Sequence, residues 1–85
     1  AFPNPFNSST FVLFQLDKTR DVSLNIYNTL GQNIKTLLDE SRAAGNHKIR
    51  WDGRDEFSKD VGSGVYFVKL ETGEQIFSKK ILLVR

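Results

Sequence analysis

From Val22 to Tyr27 the chain alternates strictly, with Val22, Leu24 and Ile26 set against Ser23, Asn25 and Tyr27, all of which carry a polar group. A period of two puts the first set on one face of an extended segment and the second on the other, so this stretch is a strand with one buried face and no helix can use it. The same period recurs along the chain. Val12, Phe14 and Leu16 alternate with Phe11, Leu13 and Gln15 from Ser9 to Leu16, and His47, Ile49 and Trp51 alternate with Lys48, Arg50 and Asp52. Val65 to Glu71 is dense in β-branched and aromatic residues, Thr72-Gly73-Glu74 follows as a turn, and Gln75 to Val84 reads as a closing strand. One segment is ambiguous. Asn33 to Leu38 follows a Gly31 turn and reads as the return strand of a hairpin. Yet Ile34, Leu37 and Leu38 also fit a helical spacing, and the helix formers of Asp39 to Ala44 allow a short helical turn there.

Six or seven short strands, turn signals every 8–12 residues and little helix predict an all-β fold. It is an antiparallel immunoglobulin-like or fibronectin-like sandwich of about seven strands. Eighty-five residues fit one domain and bury only about 60–65% of the unfolded surface, so the margin of stability is thin. Trp51, the single tryptophan, is expected to supply much of the core, and most of the other aromatics to join it. The residues from Asp52 to Gly64 are rich in acid and glycine and form the longest connection, where a site would sit.

Composition removes several function classes. With no cysteine there are no disulfides, thiolate metal sites or cysteine nucleophiles. The net charge is +2 and the cations are scattered from Lys18 to Arg85, which argues against nucleic acid as a partner. No apolar run approaches the roughly 20 residues of a membrane helix. The chain has no methionine and begins Ala-Phe-Pro, as expected of a portion of a longer polypeptide.

The catalytic inventory is equally thin. His47 is the only histidine and lies at strand spacing with Ile49 and Trp51, where it reads as packing and not as a base. Gly62-Ser63-Gly64 lacks the spacing and following helix of a serine nucleophile elbow. Asp52, Asp55, Glu56 and Asp60 lie within nine residues and, Asp52, Asp55 and Asp60 above all, are weak candidates for calcium; the spacing is not that of an EF-hand. The simpler reading gives Asp52 and Asp55 to backbone N–H groups in consecutive turns and pairs them with Arg54 or Lys59. A glycosidase pair among them would need a groove wider than so small a sandwich offers. Asn7-Ser8-Ser9 meets the short glycosylation sequon. Phe2, Phe6, Phe11, Phe14, Trp51, Tyr66, Phe67 and Phe77 would stack on sugars only if several shared one exposed face, and core filling is the expectation for most of them.

Three stretches, taken in order and spacing, resemble the C-terminal sorting domains of proteins exported by the type IX secretion system, a family that overlaps the immunoglobulin-like domain of the flagellar hook-capping protein. They are Phe2-Pro3-Asn4-Pro5-Phe6-Asn7, Ile26-Tyr27-Asn28-Thr29-Leu30-Gly31-Gln32, and Trp51-Asp52-Gly53-Arg54-Asp55 leading to Ser63-Gly64-Val65-Tyr66-Phe67. The ending Lys79-Lys80-Ile81-Leu82-Leu83-Val84-Arg85 is similar to the basic-apolar strand that closes such domains, so the resemblance covers the whole chain. It implies a non-catalytic module, without a required cofactor, at the C-terminus of a larger secreted protein. Its implied partners are a covalently linked cargo domain upstream, an outer-membrane translocon that reads it and a sortase-like peptidase that removes it. The implied location is the bacterial cell surface, reached through the periplasm.

Within that frame Pro3 and Pro5 suit an extended entry to the domain, and Asp52, Gly53, Asp55 and Gly64 form a structural turn motif. Recognition is expected in Lys79 to Arg85, since a terminal strand offers backbone groups to a receptor strand and its cations offer charge-assisted contacts. Lys79 and Lys80 would equally protect an edge against aggregation. Phe11 and Leu13 stand where an exposed strand face calls for polar residues, so a neighbour is expected to lean there. The competing readings are a carbohydrate-binding or spacer sandwich of a polysaccharide-degrading enzyme and a hook-capping domain; a sorting domain must end its polypeptide, whereas these need not.

Overall fold

The computed structural model describes residues 9–85. Among them are six strands: β1 (Thr10–Leu16), β2 (Arg20–Tyr27), β3 (Asn33–Arg42), β4 (Gly45–Trp51), β5 (Gly64–Glu71) and β6 (Ile76–Leu83). Two antiparallel sheets result, one of two strands in the order β1-β4 and one of four in the order β3-β2-β5-β6. The all-β sandwich is as expected, with six strands in place of about seven among the described residues. Phe2, Pro3, Pro5, Phe6 and the sequon asparagine Asn7 lie outside those residues.

The alternation of β2 does what its period dictates. Val22, Leu24 and Ile26 are buried against Tyr66, Val68 and Leu70 of β5, Ile81 and Leu83 of β6, Leu16 and Trp51. The outward face of β2 carries a polar ladder in which Asn25 Oδ1 accepts from Asn33 Nδ2 at 3.0 Å and from Thr36 Oγ1 at 2.7 Å, and Asn25 Nδ2 donates to Ser23 Oγ at 2.9 Å. These bonds let Asn25 be buried without an unsatisfied amide.

β3 corrects the helical alternative. Its last residues pair with the start of β2, Arg42 with Arg20 and Glu40 with Val22, and tertiary pairing overrides local helix propensity. The register slips twice, so that Asn25 opposes Thr36 directly after Leu24 opposes Leu38, and Tyr27 opposes Asn33 directly after Ile26 opposes Lys35. Leu37 and Ile34 are thereby extra residues on bulges, both packed against the core. The β2–β3 turn follows its chemistry. Asn28 Oδ1 accepts from the N–H of Leu30 and of Gln32, and Gly31 takes φ +80°, which a side chain would oppose.

The aromatic expectation also needs correction. Trp51 and Tyr66 are buried, ring edge to ring face at 5.5 Å, but Phe14 and Phe67 are half-buried and Phe11, Phe57 and Phe77 are exposed. The interior is mainly aliphatic, because opposed sheets about 10 Å apart are filled by branched side chains from both inner faces. Phe11 and Phe67 sit on outward positions of their strands.

Candidate functional site: the closing strand and its loop

β6 pairs with β5 along its length, Val65 opposite Leu82, Tyr66 opposite Ile81 and Phe67 opposite Lys80. Because neighbouring residues point to opposite faces, the expected recognition segment divides. Ile81 and Leu83 are wholly buried in the core. Leu82 and Val84 are 39% and 47% exposed. Lys80 lies on the outer face opposite Phe67, whereas Lys79 lines a groove between the two sheets, so the two lysines do not form one patch.

Arg85 is committed to the fold. Its backbone N–H donates to Ser63 Oγ at 2.9 Å, its Nε to the Val61 carbonyl and its Nη2 to the Gly53 carbonyl, with Asp60 Oδ1 at 3.8 Å. The loop from Asp52 to Ser63 is built to receive it. Trp51 Nε1–H donates to the Arg54 carbonyl at 2.9 Å, fixing the loop start on the core. Asp52 Oδ1 accepts from the Arg54 N–H, and Asp55 Oδ1 from the N–H groups of Phe57 and Lys59 at 2.8 and 3.0 Å. Gly53, buried at φ +73°, turns its carbonyl to both Val61 N–H and Arg85. Gly64 opens β5 opposite Leu83. On the far side of the loop the Glu56 N–H donates to the Ile34 carbonyl, and the Glu56 carboxylate accepts from Thr36 N–H at 2.6 Å, so the loop also caps β3.

The remaining chemical candidates fall to structural partners. Asp52 and Asp55 serve the backbone and Asp60 serves Arg54 Nε at 3.2 Å, and among the described residues no three His, Asp or Glu side chains are grouped to hold a metal ion. His47 stacks on Phe14 at 5.2 Å and bonds the Ala43 carbonyl through Nε2. The Tyr66 hydroxyl donates to the Gly62 carbonyl at 2.7 Å, and burial pushes that phenol up.

One electrostatic feature, at the opposite end of the sandwich, has no counterpart in any local sequence pattern. Arg20 Nε meets Asp17 at 3.0 Å and its Nη1 meets Glu74 at 2.6 Å, tying the β1–β2 turn to the β5–β6 turn. Hydrogen bonding to the guanidinium holds both carboxyls below the usual carboxylate range. A depressed carboxyl pKa stabilises the fold above the unfolded value and ceases to as the pH falls through the folded one. We therefore expect stability to decline below about pH 4 and an Arg20→Ala variant to show a flatter acid limb in melts taken from pH 7 to pH 2.

What these features define is a small β-sandwich whose closing strand is half core and half surface. Comparison with known proteins gives the class. A family model described as the secretion system C-terminal sorting domain matches residues 1–84, and the chain belongs to that family. No curated protein matches it. Among solved structures it is similar to PorZ of Porphyromonas gingivalis, described as an essential bacterial surface component of the type IX secretion system. The two share 20% identity at a TM-score of 0.64, over 99% of this chain and 11% of that one. At that identity the likeness shows the fold. The family supplies the function: this is a sorting module that marks proteins for secretion to the cell surface through the outer membrane. Sorting domains of this family are not catalytic, and they act with the secretion machinery and an attached cargo.

Proposed function

We propose that residues 1–85 form one sorting module joined to a cargo domain upstream, that the outer-membrane translocon reads it in the folded state through the outward half of β6, and that a sortase-like peptidase then removes it. The observation that carries this reading is the division of Lys79 to Arg85. Ile81, Leu83 and Arg85 hold the fold, which leaves the stripe of Leu82 and Val84 beside Val65 to meet a receptor. The family match favours this over a carbohydrate-binding or spacer sandwich and over a hook-capping domain.

The test is export of a fluorescent reporter carrying these residues at its C-terminus, in a host with type IX machinery. Leu82→Asp combined with Val84→Asp is expected to keep the melting temperature within a few degrees yet leave the reporter in the periplasm, while Leu30→Asp, at the exposed β2–β3 turn outside β6, exports normally. A folded double variant exported at the wild-type level would sink the proposal. The same reading holds that no cofactor is needed. Millimolar calcium or a chelator is then expected to leave the melting temperature unchanged, since a ligand of the folded state alone would raise it.

A further inference from the structure

The two sheets are unequal, and the smaller leaves part of the larger uncovered. Val12 to Gln15 of β1 pair with Asn46 to Ile49 of β4 and with no other strand among the described residues. β4 approaches β3, so the other side of β1 faces β6. Between them runs a groove of about 350 Å³, more than twice the roughly 150 Å³ apolar cavity that takes up a benzene molecule. Its floor is Val68 and Leu70 of β5, and its walls are β1 from Val12 to Gln15 and β6 from Phe77 to Lys79. Leu13 and Phe77, 64% and 53% exposed, stand at its mouth. Among the described residues the one charged side chain lining it is Lys79.

We propose that this groove is a docking site for one extended peptide segment of a partner protein, which adds to β1 as a third strand of the smaller sheet. Such a segment carries apolar side chains at alternate positions and a carboxylate that meets Lys79. Each part follows from the site. A strand edge supplies main-chain hydrogen bonds without regard to sequence, and the slot beneath it selects the alternate side chains. A solitary ammonium at an apolar rim selects an acidic residue over a basic one. The inference does not depend on the sorting reading, because the groove lies between the sheets and the Leu82–Val84 stripe on the outer face.

The probe is the capped peptide Thr-Val-Thr-Val-Thr-Glu, whose glutamate shares a face with its valines, titrated into the isotope-labelled 85-residue chain while backbone amide shifts are followed. Saturable shifts centred on Val12 to Gln15 and on Phe77 to Lys79 are expected. The same peptide with lysine replacing glutamate is expected to bind about tenfold more weakly, and Lys79→Glu to reverse that order. Leu13→Asp and Phe77→Asp, both at exposed positions, are expected to abolish the shifts. Because the peptide exchange is made on the unaltered protein, the test survives a variant that fails to fold. Shifts centred on another edge, equal binding of the two peptides, or none at millimolar concentration would each overturn the proposal. So would movement of the same signals with protein concentration alone, which would seat a second copy in the groove.

Discussion

Replacing Trp51 by alanine is expected to cost roughly 3–5 kcal/mol, which for a domain of this size lowers the melting temperature by about 12–40 °C. Three contributions are lost together. The indole is wholly buried in a mainly aliphatic interior, it makes a T-shaped contact with Tyr66, and its N–H holds the Arg54 carbonyl at the root of the long loop. A domain of this length has a total stability of about 4–13 kcal/mol, so the variant sits close to the edge of folding. Trp51→Phe keeps most of the volume and loses the hydrogen bond, and is expected to fall between the two. Thermal melts followed by circular dichroism decide the matter. A drop of only a few degrees in Trp51→Ala would mean that the core closes around the gap or that the loop is anchored elsewhere.

Deletion of residues 79–85 is expected to unfold the domain and not simply to remove a signal. Ile81 and Leu83 are both wholly buried, and truncating a buried aliphatic residue costs about 2–5 kcal/mol, so losing the pair rivals the whole stability of the domain. The deletion also removes the guanidinium that joins Gly53 to Val61. A reporter lacking the tail would therefore fail to export for either of two reasons. The surface pair Leu82→Asp and Val84→Asp separates them, because it alters the outer stripe and leaves the buried residues in place. Should the deleted chain melt cooperatively within a few degrees of the intact one, the structural role assigned to Ile81, Leu83 and Arg85 would be wrong.

Much of this was legible in the sequence wherever the backbone repeats without interruption. β2 and β5 were readable because Val22, Leu24 and Ile26, like Tyr66, Val68 and Leu70, keep step with the pleat. β3 was readable as a hairpin strand only as far as Leu38, with a helical alternative left open, for a physical reason. Its two bulges insert Ile34 and Leu37, breaking the period of two and leaving a spacing that imitates a helix. The loop from Asp52 to Gly64 was readable as a loop, and the backbone duties of Asp52 and Asp55 follow from acids placed before turns. Its engagement by Arg85 was not, since the bonds join residues 24 and 32 positions apart and no local pattern records them. The division of the tail was latent in its alternation. Which half faces inward depends on where β5 lies, and that is a property of the assembled sheet. The open groove was still less accessible, because it results from two strands covering four.

The place of β6 in the core has a bearing on how the domain comes into being. Synthesis runs from the N-terminus, so the strands facing Ile81 and Leu83 exist before the residues that complete their packing, and they wait with apolar surface uncovered. A polypeptide broken off before residue 81 can present no folded sorting domain, however intact its cargo. A receptor that reads only the closed sandwich thereby passes chains made at least as far as β6 and leaves shorter ones behind, so the fold itself certifies that translation reached this point.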